Sequence, residues 1–124
     1  MANVPKISDA EWEVMQVIWD RHPIYASEVV ERLQRTTAWS SRTIKTMLGR
    51  LVSKEALDFR QEGNRYLYLP KVTRETCLKH ASQSFLERVF AGSPASLLTH
   101  FVRNVELSKQ ELEELKRVLQ EKEE

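Results

Sequence analysis

The sequence is almost without cysteine. Its single copy, Cys77, permits no intramolecular disulfide and gives no hint of an oxidising compartment. No apolar run approaches the roughly 20 residues that a membrane span needs, so no membrane insertion is expected. The start, MANVPKISDAEWEV, lacks the basic-then-apolar layout of a signal peptide, and the expected location is cytoplasmic. There is no low-complexity segment and no internal repeat. Catalytic signatures are missing as well: no G-x-S-x-G, no glycine-rich phosphate loop, no H-E-x-x-H. The three histidines have no evident acid or nucleophile partner. Neither an enzyme nor a cofactor is expected. Net charge is nearly absent too, at +1, and that total says nothing of an anionic partner.

What is present is an ordinary globular composition. The 124 residues are 41% hydrophobic and 30% charged, which suits one domain, or one small domain with an appendage. Such a length buries roughly two-thirds of the surface its unfolded chain exposes, so a core needs no staples.

Charge is unevenly placed. Residues 32–65 hold eight basic side chains (Arg32, Arg35, Arg42, Lys45, Arg50, Lys54, Arg60, Arg65) against three acids (Glu55, Asp58, Glu62). That stretch carries +5 and the remainder −4. A basic middle and an acidic remainder are the asymmetry of a nucleic-acid contact region.

Periodicity gives the element order. Ser8-Asp-Ala-Glu11 is a capping box ahead of Trp12, Val14, Met15, Val17, Ile18 and Trp19. The helix should stop near Arg21, because Pro23 disfavours helical geometry before it. A second helix fits Ala26 to Arg35. Ser40 caps a third, running to about Lys54. The period then changes to two, and LDFRQ and RYLYL flank Glu62-Gly63-Asn64 as a hairpin. From Thr73 the pattern is helical again. A long helix breaks at Gly92. Ser93-Pro94 opens a short one, and the capping box Ser108-Lys-Gln-Glu111 opens the last. Helix, helix, helix, hairpin is the order of a winged helix-turn-helix, with a short strand at Ile24-Tyr25 to complete its sheet. The expected class is mostly α with a small β hairpin: a winged helix-turn-helix over residues 1–72, then a helical dimerisation region over 73–124.

The third helix has two faces. At about 100° per residue from Ile44, Leu48 falls near ~40°, Leu51 near ~340° and Met47 near ~300°. That stripe is core. Arg42, Lys45, Thr46, Gly49 and Ser53 fall between roughly 100° and 200°. No acid occurs in WSSRTIKTMLGRL, residues 39–51. Glycine costs roughly 1 kcal/mol in a helix interior, and here it would let the backbone approach a surface. The expected partner is double-stranded DNA. The candidate contacts are Ser40, Ser41, Arg42, Thr43, Lys45, Thr46, Gly49 and Arg50 on the helix, with Arg60, Asn64 and Arg65 on the hairpin. Ser40 and Ser41 lie where free N–H groups and the helix dipole suit a phosphate.

Other residues have plainer readings. Trp12 and Trp19 read as core, and Trp39 as a partner of the third helix's first turn. Cys77 and His80, at i and i+3, are two ligands and not a metal site. Glu111, Glu113 and Glu114 are a solvated helix face. The apolar positions Leu78, Phe85, Val89, Leu97, Phe101, Leu112, Leu115 and Leu119 exceed what three short helices cover alone, so a homodimer is expected.

The segments ISDAEWEVMQVIW, WSSRTIKTMLGRLVSKEAL, EGNRYLY and ASQSFLERVFAGSPASLLTHFV, with ELSKQELEELKRVL, resemble the penicillinase-repressor family, the type that includes BlaI, MecI and CopY. The resemblance runs from Ile7 to about Leu119, and the run from Trp39 is its most specific part. It implies a dimeric winged-helix repressor of dyad operators, controlling a β-lactamase or similar resistance operon. The chain lacks the paired C-x-C tail of the copper-responsive branch. In the β-lactam branch a membrane sensor protease cuts between asparagine and phenylalanine in the short helix. The matching pair here is His100-Phe101, where Phe101 fits the pattern and His100 departs from it. The competing readings are a repressor of other genes linked to metal or redox state through Cys77, and a winged helix that binds protein.

Overall fold

A computed structural model of the chain describes residues 4–124. It divides into two compact units, one ending at Ala81 and one running from Ser82 to Glu124.

In the first unit, α1 spans Asp9–Asp20, β1 Ile24–Tyr25, α2 Ala26–Gln34 and α3 Ser41–Ser53. The hairpin strands are β2 Leu57–Glu62 and β3 Arg65–Pro70, and α4 starts at Arg74. The capping box of α1 is closed in both directions: the Glu11 N–H donates to Ser8 Oγ at 3.1 Å, and the Ser8 N–H to Glu11 Oε1 at 3.0 Å. Apolar spacing then turns Val14, Met15 and Ile18 to one side. They meet Val29 and Leu33 of α2, and Ile44, Met47, Leu48 and Leu51 of α3, in one buried cluster. Ile24, Ala56 and Leu57 complete it. Trp19 and Trp39 pack at its edge. Burying each large aliphatic side chain contributes about 1.5–3 kcal/mol, which is what fixes three helices around a core this small.

The sheet order is β1-β3-β2, antiparallel throughout. The short strand at Ile24-Tyr25 is therefore present, with Tyr25 opposite Leu67. Glu62 pairs with Arg65, which leaves Gly63 and Asn64 as the turn. Gly63 has φ +63, the left-handed backbone that a primed hairpin turn demands of its first central residue. Three helices, the three-stranded sheet and its protruding hairpin form a winged helix-turn-helix. Residues 72 and 73 mark the expected division, whereas the compact units part inside α4, after Ala81. The first turns of α4 go with the winged helix: Cys77 is buried, and Trp19 Nε1 donates to the Val72 carbonyl at 2.9 Å.

The second unit holds the rest of α4 (Arg74–Phe90), α5 (Pro94–Asn104) and α6 (Lys109–Glu123). Ala91 and Gly92 both take left-handed backbone, at φ 50 and 79, and end α4. Ser93 and Ser108 cap the next two helices, and Glu111 closes the second capping box. None of residues 82–124 is buried.

Candidate nucleic-acid interface

The outer face of α3 stands open. Arg42, Thr43, Lys45, Thr46, Gly49 and Arg50 are exposed, while Ile44, Met47, Leu48 and Leu51 are buried on the reverse. Ser41 is half-buried. A Cβ added at Gly49 would meet nothing within 4 Å. No packing inside the chain requires glycine there. Its cost in helix propensity therefore has no return within this chain.

The hydroxyls are partly committed. Ser40 Oγ accepts from the Thr43 N–H at 3.1 Å and donates to Thr43 Oγ1 at 3.0 Å, so it serves as the cap. Thr46 Oγ1 donates back to the Arg42 carbonyl at 2.9 Å. Its methyl and remaining lone pair stay available.

The α3 residues lie along two grooves. Arg42, Thr43, Thr46 and Arg50 line one of about 400 Å³, with Ala10, Trp39 and Met47. Lys45 lines the other, of about 440 Å³, opposite Asn64 and Arg65 of the hairpin. The structure thus brings the hairpin tip and the third helix to one opening. Arg60 is exposed on β2 and lines neither groove.

The eight cations of the basic stretch separate into two sets. Arg32 pairs with Asp20 at 2.7 Å, Arg35 with Glu31 at 2.9 Å and Lys54 with Glu11 at 2.5 Å. Among the described residues, Arg42, Lys45, Arg50, Arg60 and Arg65 have no acidic partner within 4.0 Å. Those five are the cations of the α3 face and the hairpin. Sequence charge alone could not make this division, because the partners of Arg32 and Lys54 lie 12 and 43 residues away.

The Lys54–Glu11 pair is structural. Glu11 is 3% exposed, and Lys54 Nζ also donates to the Lys6 carbonyl at 3.0 Å. Burial alone would raise the Glu11 pKa, but the hydrogen bonds from Lys54 and Ser8 and the Lys54 charge outweigh it. The carboxyl is held below its ordinary value. The pair ties the start of α1 to the end of α3 and so helps set the angle of the exposed face.

Cys77 is buried, and that burial pushes its thiol pKa up. A thiol so placed is a poor nucleophile and a slow redox sensor. Among the described residues no three His, Cys, Asp or Glu side chains converge on a point that could hold a metal. Among them, too, no helix is long and apolar enough to cross a membrane.

His100 and Phe101 lie in α5 and are exposed. The His100 ring sits 5.9 Å from Phe90 and 6.0 Å from Phe101. The apolar positions Leu78, Phe85, Val89, Phe101, Leu112, Leu115 and Leu119 are all exposed, and Leu97 is half-buried.

One residue of this surface escapes sequence reasoning. Tyr25 lines the second groove, and its hydroxyl donates to Glu62 Oε1 at 2.7 Å. The Arg65 guanidinium carbon lies 3.6 Å from the centre of the Tyr25 ring. The signal for Tyr25 was its place in β1, which pairs with the wing.

Comparison with known proteins agrees with this architecture. Residues 7–121 match the penicillinase repressor family. The chain is 41% identical over 121 residues to the penicillinase repressor of Bacillus licheniformis, spanning 98% of this chain and 94% of that one. It is 34% identical over 117 residues to the methicillin resistance regulatory protein MecI of Staphylococcus aureus, spanning 94% and 95%. The monomeric form of B. licheniformis BlaI, solved in complex with the blaP half-operator, matches 60% of this chain and 92% of its own. That match has 45% identity and a TM-score of 0.53. The chain belongs to the penicillinase repressor family.

Proposed function

We propose that this chain is a transcriptional repressor that binds double-stranded operator DNA through the outer face of α3 and the β2–β3 wing. The observation that carries the reading is the division of the basic residues. Within the basic stretch, residues 32–65, the five cations without an acidic partner among the described residues are those on α3 and the wing. Phosphates would position the protein through such cations, and side chains of α3 would read base edges in the major groove. The B. licheniformis relative solved in complex with a half-operator supports DNA as the partner.

The finer reading has three parts. The chain acts as a homodimer on a dyad operator, its two copies joined through the exposed apolar positions of α4, α5 and α6. Its target is a β-lactamase or β-lactam-resistance operon, in line with its relatives. Repression ends when a membrane sensor protease cuts His100-Phe101. Helix α5 has only 11 residues and so little stability of its own; its apolar residues pack in the proposed dimer, and the protease acts on a local opening of that short helix.

The test begins with selection of duplexes from a random pool by the full chain. Enrichment of a dyad sequence is expected. In titrations on that duplex, Arg42→Ala, Lys45→Ala and Thr46→Ala should each weaken binding while leaving the melting curve unchanged. A lost base-edge contact costs about 1–3 kcal/mol and relaxes specificity, whereas a lost phosphate contact weakens all sequences alike. Wild-type affinity in all three would remove α3 from the interface. For release, mass spectra of the repressor from cells given a β-lactam should show fragments ending at His100. Full-length chain persisting under induction would exclude cleavage.

A further inference from the structure

Tyr25 occupies an odd position. It is the N-cap residue of α2, yet its side chain makes no capping hydrogen bond. Ser8, Ser40, Ser93 and Ser108 cap α1, α3, α5 and α6 with their hydroxyls. Thr73 Oγ1 does the same for α4, accepting from the Thr76 N–H at 3.1 Å. Tyrosine is a poor cap, so helix formation does not explain its presence. Its side chain is instead turned to the wing, where it meets both residues that flank the turn.

Glu62 and Arg65 face each other as the last pair of the hairpin. Opposite charges so placed could pair with one another. Among the described residues they do not, and each engages Tyr25. The hydroxyl donates to Glu62, and the guanidinium lies over the ring. The phenol is protonated at neutral pH, as in any tyrosine, and its hydrogen bond to the Glu62 carboxylate pushes its pKa higher still. A guanidinium stacked by its face keeps its N–H edge free for a phosphate oxygen.

The wing needs such a tie. Residues Asp58 to Tyr66 are all exposed, and β1 reaches only as far as Leu67 and Tyr68. Beyond that point the tip is a bare two-stranded ribbon, which is marginal in water. The tie also has a near neighbour on the other side of the opening, since Tyr25, Arg65 and Lys45 line the same groove.

We propose that Tyr25 is a positioning residue of the interface. It holds Arg65 at the wing tip, opposite Lys45, so that the two cations meet the DNA backbone at a set separation, and it turns the Glu62 carboxylate aside. This rests on the DNA-binding reading above. It adds a residue that contributes no charge and acts through another residue's charge.

A double-mutant cycle on the full-length chain tests it, with the duplex selected by the wild type as probe and anisotropy over a salt series as readout. Arg65→Ala is expected to weaken binding about tenfold and to lower the salt slope by about one. Tyr25→Leu is expected to weaken binding about fivefold when Arg65 is present, and hardly at all in the Arg65→Ala background. Equal losses from Tyr25→Leu in both backgrounds would mark a merely structural role and overturn the proposal, as would no loss in either. If Tyr25→Leu does not fold, Tyr25→Phe takes its place, because it keeps the ring and β1 and removes only the hydroxyl. Its expected loss is about twofold, present only with Arg65, and persistence in the Arg65→Ala background would overturn the proposal. A wild-type chain that enriches no duplex defeats both readings. One that binds without the coupling defeats this one alone.

Discussion

The two compact units treat their apolar residues in opposite ways. Up to Ala81, the chain closes a core: Val14, Met15, Ile18, Val29, Ile44, Leu48 and Leu51 are all 0% exposed. From Ser82 on, nothing is buried, and Val89, Val102 and Leu119 are 53%, 52% and 56% exposed. Both units are built from amphipathic helices, all but α2 capped by a serine or threonine hydroxyl, so local helix quality does not separate them. What separates them is a facing surface. α1, α2 and α3 find their partners within the chain. An apolar surface as extensive as that of residues 82–124 is unusual on a monomer and calls for something to cover it. A second copy of the chain would supply a matching stripe and is the occupant proposed above.

The largest expected effect comes from cutting between the units. A fragment of residues 1–81 should fold as a monomer, because its core is complete without the rest. On a dyad operator it should bind about 10²–10⁴-fold more weakly than the full chain, since the two half-sites are no longer linked. Sedimentation and titration together check this. A full chain that sediments as a monomer at micromolar concentration would break the comparison.

Core deletions sharpen it. Leu48→Ala should cost about 3 kcal/mol, and the loss should not depend on protein concentration. Leu115→Ala should instead lower the melting temperature by an amount that varies with concentration, as expected when stability is tied to association. Melting curves across a hundredfold range of concentration distinguish the two.

The Lys54–Glu11 pair gives an effect of intermediate size. Lys54→Ala strands a buried carboxylate, which costs about 3–5 kcal/mol when both partners are buried. Lys54 is 37% exposed, so screening reduces the expected loss to about 1–2 kcal/mol. The pH dependence has a definite sign. Because the Glu11 pKa is lowered in the folded state, its contribution is whole above the ordinary glutamate value. It is lost as pH falls through the lowered one. Acid unfolding of the wild type should therefore show a drop that is smaller in Lys54→Ala.

The smallest effects concern one backbone feature that both units share. Glu55 and Ala91 follow the ends of α3 and α4 at φ 68 and 50. Left-handed geometry costs a non-glycine residue about 1–2 kcal/mol. Glycine relieves that strain but frees the unfolded chain by a comparable amount. Glu55→Gly and Ala91→Gly should each leave stability within about 0.5 kcal/mol of wild type, instead of showing the usual helix-interior penalty of about 1 kcal/mol. A loss above that in either unit would mean the strain is not there.

Local signals were the readable part of this fold. Ser8-Asp-Ala-Glu11 and Ser108-Lys-Gln-Glu111 announce their helices within four residues, and both boxes close in the structure. Two-residue alternation located the wing, and helical spacing placed Ile44 and Leu48 inward with Lys45 and Gly49 outward. Features made by distant partners stayed hidden. Lys54 reads as one more cation of a basic stretch until Glu11 closes on it. Arg65 and Asn64 read as a turn-side pair, and nothing local says that Tyr25 lies beneath Arg65. Glu55 and Ala91 carry no mark of left-handed backbone, because glycine is the residue that normally signals it.

The central claim, that the open face of α3 lies against DNA, is tested most directly at Gly49. In Gly49→Glu the new side chain enters space that is empty in the free chain. Glutamate is also the better helix former, so the folded chain should be as stable as wild type or up to about 1 kcal/mol more so. Against phosphate the same carboxylate should cost several kcal/mol, a loss of roughly a hundredfold or more in affinity. The measurement is a melting curve and an operator titration on the same preparation. An unchanged or raised melting temperature with binding lost is the expected result. A stable Gly49→Glu chain that binds the selected duplex like wild type would contradict the claim.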